Sequence, residues 1–186
     1  MKHLPLLLLA LLLTASACKK EATELDKLPA ATSTGQNTGG CLIDGQAFVA
    51  TGLPSGGLLG PNAIPPLTGG FAFDSLYMLE LYGQRNGENV TLTLFLRART
   101  VGKQLLNQST RYYPQGSPQY ILNHAVFAAD KGGGEVYVTD ALHTGEIVLT
   151  LANKPFSAGT FEFTAASTFD RTKTITVTNG RFDRKQ

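Results

Sequence analysis

The chain has 186 residues, 42% of them hydrophobic and 16% charged, with 20 Gly, 9 Pro, 2 Cys and no Trp. Those proportions exclude an intrinsically disordered chain, a coiled coil and a polytopic membrane protein. The net charge is +2, or +1 once Lys2 leaves with a leader, so no field of one sign is available to draw in nucleic acid or acidic polymers.

The N-terminus reads as an address. Lys2 precedes a leucine-rich run from Leu4 to Leu13, and the small residues Thr14 to Ala17 end at Cys18. An apolar run of about ten residues is too short for a membrane-spanning helix, which takes about 20, so residues 1–17 are expected to be a cleaved secretory signal. The string LLLTASAC resembles the lipobox of bacterial lipoproteins, with Ala15 where Leu is commoner. That resemblance implies cleavage before Cys18 and lipidation of Cys18, which would hold the chain on a membrane through its acyl groups. Lys19, Lys20 and Glu21 are similar to the charged export tags of Bacteroidetes lipoproteins, which implies an outer-membrane protein facing the cell exterior. Residues 18–40 are expected to be the lipidated cysteine and a flexible tether, spanning about 25 Å root-mean-square.

Residues 41–186 have the size of one domain, and their hydrophobic period is two nearly everywhere. Val90, Leu92, Leu94 and Leu96 alternate with Thr91, Thr93, Phe95 and Arg97; Ile147, Leu149 and Leu151 alternate with Glu146, Val148 and Thr150. Phe161, Phe163 and Ala165 alternate with Thr160, Glu162 and Thr164, and Ile175 and Val177 sit among Thr174, Thr176 and Thr178. One apolar and one Thr-rich face per strand is the pattern of antiparallel sheets with a solvated side. Asp44-Gly45 and Asn86-Gly87 separate such runs as two-residue hairpin turns, and Gly132 to Gly134 separate another pair. The expected fold is all-β, an antiparallel β-sandwich or flattened barrel of roughly eight to ten strands.

Two stretches break the pattern. Thr51 to Gly70 holds six Gly and four Pro together with Leu58, Leu59 and Ile64, and is expected to be a lid packed by its own apolar residues or a surface for a partner. Gln104 to Gln119 places Arg111, Tyr112 and Tyr113 in a loop, with Tyr120 opening the next strand; aromatic faces there suit sugars or peptides. The absence of Trp weighs against a carbohydrate platform, and tyrosines at the edge of the core are the plainer reading.

Little in the chain points to chemistry. Beyond the leader the histidines are His124, expected to be a satisfied sheet residue, and His143, which lies beside Asp140 in the loop DALHTG. No nucleophile elbow, zinc spacing or phosphate loop is present, so neither a catalytic residue, a metal nor a cofactor is expected. The acids are spread along the chain, though a fold can bring two carboxylates together across a sheet. With Cys18 acylated, Cys41 has no disulfide partner and reads as a small buried hydrophobe.

The lipobox, the opening hairpin CLIDGQAFVA, the segment GTFEFTA from Gly159 and the closing TITVTNGRFD from Thr174 together resemble a family of uncharacterised Bacteroidetes lipoprotein domains. The resemblance implies an extracytoplasmic, lipid-anchored, all-β module and carries no catalytic or binding residue. The expected function is a non-catalytic binding or accessory module whose partner is an envelope protein or an extracellular polymer. The alternatives are a glycan or peptide hydrolase with carboxylates brought together across the sheet, and a structural envelope lipoprotein.

Overall fold

The computed structural model describes residues 22–54, 63–72, 76–98, 100–108, 122–130 and 134–186. Among the described residues, eleven strands form one antiparallel sheet that curls into a half-barrel. They are β1 (Thr38–Ile43), β2 (Gln46–Val49), β3 (Leu67–Ala72), β4 (Leu76–Arg85), β5 (Glu88–Leu96), β6 (Gly102–Leu106), β7 (His124–Ala129), β8 (Glu135–Val138), β9 (Gly145–Ala152), β10 (Phe156–Ser167) and β11 (Thr174–Lys185). The order along the sheet is β2-β1-β11-β10-β8-β7-β5-β4-β3, and a branch of β9 then β6 leaves β10.

The branch follows from the length of β10. Its 12 residues pair with β11 on one side; on the other, Ser157 to Phe163 pair with β9 and Ala166 and Ser167 pair with β8. Two strand systems therefore share one edge and wrap a common core.

The all-β, antiparallel expectation holds, and the described strands number close to those expected. Two of them lie in the stretches expected to be loops: β3 begins at Leu67, inside Thr51–Gly70, and β6 takes in Gln104 to Leu106. The glycines at 69 and 70 hide the first, yet both pair with β4, Gly69 opposite Leu79 and Gly70 opposite Met78. β7 also starts later than the run opening at Tyr120 suggests, at His124. Both hairpin turns form as the turn chemistry demands, with positive φ at Asp44 (50°), Gly45 (80°), Asn86 (53°) and Gly87 (77°).

The alternating apolar residues make the core. Ile43, Phe48, Leu79, Leu81, Leu92, Leu94, Ile147, Leu149, Phe161, Phe163 and Val177 are all buried in one cluster that fills the concave side. The opposite face is not wholly polar: Phe95, Val126 and Val138 form a second, smaller cluster with Met78 and Val136 packed against it, and Thr93 is buried. Cys41 is a free, buried thiol within the main cluster, and burial pushes it up to about 12.

The edges of the curled sheet meet at a seam held by two arginine side chains and a backbone bond in place of a ladder. Arg85 Nη2 donates to the Ile43 carbonyl (3.1 Å) and to Gln46 Oε1 (3.2 Å), tying β4 to the first hairpin. The Gly52 amide donates to the Tyr82 carbonyl (2.9 Å), and Arg184 Nη1 reaches the Leu67 carbonyl (2.6 Å). Among the described residues, the buried side-chain nitrogens without a partner are the Nε atoms of these same two arginines. Each arginine is held for its end-on reach across the seam at the expense of its Nε–H donor.

The expected tether needs correction over its described part. A 3-10 turn at Glu24–Lys27 is closed by Thr23 and Asp26, and Glu24 accepts the Ala47 amide (2.8 Å) on the free edge of β2. Lys27 pairs with Glu24, and Leu28 is buried. The chain then crosses β1 at Gly40, where a Cβ would lie 3.2 Å from the Pro29 ring and 2.6 Å from the Phe48 carbonyl. Residues 32–36 wrap Asp183 and Asn37 accepts the Lys185 amide before β1 begins. Residues 22–37 are thus a strap docked on the sheet. The polar composition that suggests a coil is instead spent on hydrogen bonds to the domain.

Candidate binding face

On the outer face of the β9–β10–β11 region the alternation leaves a polar strip. Phe161, Phe163 and Ala165 point into the core, so Thr160, Glu162 and Thr164 point outward. Thr164 lies opposite Thr176 on β11, and Thr160 lies between Val148 of β9 and Arg181 of β11.

Glu162 stands directly opposite Glu146 across the β9–β10 ladder. Like charges in that position repel. Lys103 on β6, the next strand out, offsets this by meeting Glu146 Oε2 at 2.7 Å, an exposed pair contributing at most about 1 kcal/mol. Two shallow depressions adjoin along this strip and share the two glutamates. One, of about 420 Å³, runs towards Thr160, Asn179 and Arg181; the other, of about 390 Å³, runs towards Leu105, Thr144 and Thr178. The strip offers hydroxyl groups and two carboxylates along one groove, the donor and acceptor set for a polyhydroxylated or extended polar chain.

A second polar cleft, of about 310 Å³, opens at the end of the half-barrel that carries the hairpin turns. Asp44, Arg85, Glu88, Glu135 and Tyr137 line it above a floor that includes Val90 and Ile175. Burial pushes the Tyr137 hydroxyl up, and a hydrogen bond to Glu135 and the charges of Glu135, Asp44 and Asp170 push it the same way. Arg85 is already committed to the seam, with Asp44 at 3.9 Å.

The two described histidines both make contacts within the fold. His124 is buried, stacked on Phe95 with ring centres 4.4 Å apart, and its Nδ1 lies 2.6 Å from the Leu122 carbonyl. Burial lowers its proton affinity against the pull of that carbonyl. His143 and Asp140 do meet, at 3.0 Å, but Asp140 also caps the amides of Leu142 and His143 and pairs with Arg171. Arg171 in turn donates to the Ala166 carbonyl (3.2 Å), so the group ties the β8–β9 loop to the β10–β11 loop. Sequence proximity pairs Asp140 with His143 and misses Arg171, which is 31 residues downstream and lies in a different loop.

Of the residues singled out from sequence, Ile64 is placed at the base of its loop, bridged to Leu53 and 38% exposed, away from the groove. Cys18, Leu58, Leu59, Arg111, Tyr112, Tyr113 and Tyr120 lie outside the described residues. Glu146 and Glu162 are visible in the sequence only as solvated strand positions, because the register that opposes them is a tertiary property. Among the described residues no group of three or more His, Cys, Asp or Glu could hold a metal ion, and no helix is long and apolar enough to cross a membrane.

Neither the curated proteins nor the solved structures contain a match to the chain. A family model described as a domain of unknown function, DUF6252, matches residues 71–184, from the last two residues of β3 to the penultimate residue of β11. The match omits β1 and β2, although β1 is hydrogen-bonded to β11 within the same sheet. With well over half of its length in that match, the chain belongs to the DUF6252 family of uncharacterised domains.

Proposed function

We propose that this protein is a lipid-anchored, extracytoplasmic, non-catalytic binding module that holds an extended polar polymer or a segment of an envelope protein against its outer sheet face. The observation carrying this reading is the pair of adjoining depressions that share Glu146 and Glu162 and together form the groove. Hydroxyls and carboxylates stand there among apolar side chains such as Val148, Leu105 and Phe163, and His124, His143, Asp140 and Asp183 all make contacts within the fold. The anchor rests on LLLTASAC and on Cys18 as the acylated residue.

The test is crosslinking of the lipoprotein on intact cells with mass spectrometry of what is captured, repeated with Thr164→Arg, which fills the groove. Capture of one polymer or envelope protein that the variant abolishes supports the reading. Undiminished capture by the variant moves the binding site elsewhere.

One observation favours a second reading, hydrolysis, because the two glutamates face each other at the spacing of a cross-strand pair. Glu162 is exposed and Glu146 is paired with Lys103, which argues for ligand contact over acid–base work. Turnover of a glycan that is lost in both Glu146→Gln and Glu162→Gln would replace binding with hydrolysis.

A further inference from the structure

The strap and two loop tips together orient the molecule. From Asp183 the strap runs along β11 and β1 towards the end of the half-barrel that carries the hairpin turns, passing Pro29 at Gly40 and reaching Ala47 through Glu24. Glu24, which accepts the Ala47 amide, is the described residue nearest Cys18 that is bonded to the sheet, and residues 19–23 separate the two in sequence. Those six chain steps reach about 21 Å when fully extended. An acyl group on Cys18 would therefore draw the turn-bearing end of the domain to the bilayer, where a free tether of 22 residues would have let it stand off.

Towards that same end lie the most exposed large apolar side chains among the described residues. Phe169, in the β10–β11 loop at that end, is 79% exposed, and Leu142, 88% exposed, is in the β8–β9 loop, which flanks Phe163 to Ala166 where β10 leads into the β10–β11 loop. The Asp140–Arg171 ion pair joins these two loops and holds them together. Leu25, two residues beyond Thr23 on the strap's 3-10 turn, is exposed as well. Scattered exposed apolar residues are ordinary. A pair on linked loops, towards the end where an acylated chain departs, is the arrangement of an interfacial contact.

We infer that Leu142 and Phe169 seat in the headgroup region of the bilayer that holds Cys18, so that the turn-bearing end faces the membrane and the Glu146–Glu162 groove lies on the flank. The inference rests on the lipid-anchor reading. At the same end Asp44, Glu88, Glu135 and Asp170 stand with three cations, Arg85 beside Asp44, Lys173 beside Glu135 and Arg171 paired with Asp140, so the described charges give no net attraction to anionic lipid. The contact is therefore apolar and does not weaken as salt rises.

The chain has no Trp, so a single introduced one is an unambiguous reporter. The experiment takes the lipoprotein purified from cells, establishes the mass at Cys18, and reconstitutes it in phosphatidylcholine vesicles with brominated acyl chains. Phe169→Trp and Leu142→Trp are compared with Gln186→Trp, at the end of the chain beyond β11. The expected result is indole quenching in the Phe169→Trp and Leu142→Trp variants at least twofold stronger than in Gln186→Trp, unchanged between low and high salt. Equal quenching in all three variants, or none in Phe169→Trp and Leu142→Trp in an acylated sample, overturns the inference and leaves the anchor standing. An unmodified Cys18 removes both.

Discussion

The carboxylate of Asp183 accepts the amide of Gly35 at 2.7 Å, joining residues 148 positions apart. The same carboxylate takes the Thr32 hydroxyl (2.6 Å) and the amides of Thr34 (2.9 Å) and Gln36 (3.2 Å). Burial pushes the Asp183 carboxyl up, but the Thr32 hydroxyl and the Gln36, Gly35 and Thr34 amides together outweigh it and hold the group below the usual carboxylate range. A folded-state value below the unfolded one of about 3.9 makes the contribution present above that pH and lost as pH falls through the folded value.

Asp183→Ala should therefore free the strap. Charge-assisted bonds of this kind contribute about 1.5–3 kcal/mol each before compensation, so a loss of about 3 kcal/mol is expected in denaturant unfolding. Amide exchange should accelerate at Thr34, Gly35 and Gln36 first. Unchanged protection there would show that Asp183 does not hold the strap.

Tyr77 and Ser157 meet through their hydroxyls at 3.0 Å inside the core, and burial pushes the Tyr77 hydroxyl up. Removing one partner leaves the other buried and unsatisfied. Tyr77→Phe and Ser157→Ala should each cost about 1–2 kcal/mol, and the double variant should cost less than their sum by about 1 kcal/mol. Simple additivity in a double-mutant cycle would show that the two hydroxyls are not coupled.

His124 is neutral in the fold because burial disfavours its charged form. The unfolded chain takes up a proton near pH 6.5 and the folded one only at lower pH, so stability should fall as pH drops below about 6.5. His124→Phe keeps a ring against Phe95 and should flatten that slope between about pH 7 and 5. A slope identical to that of the parent chain would assign the proton uptake elsewhere.

Cys41 is buried and its thiol is pushed up to about 12, so the thiolate is scarce at neutral pH. In the folded protein it should resist maleimide near neutral pH and react within minutes once denaturant is added. Cys41→Ser, which buries a hydroxyl in an apolar cluster, should cost about 1–3 kcal/mol. Rapid labelling of the native chain would contradict its burial.

The features legible from the amino-acid order are the local ones. The period of two in Val90 to Leu96 and in Phe161 to Ala165 names the strands and their buried faces, and Asp44-Gly45 and Asn86-Gly87 name two turns, because each depends on neighbours within a few residues. Glycine-rich β3 escapes, since Gly69 and Gly70 have no side chain to show a face and only pairing with β4 makes them a strand. The strap reads as a coil for a similar reason: its partners, Asp183 and Ala47, are distant in sequence. It takes the folded sheet to set Glu146 opposite Glu162, to bring Arg171 to the Asp140–His143 contact, and to close the seam with two arginines. Each of those depends on ladder register and sheet curl, which are set by the packing of the whole core and leave no trace in any one segment.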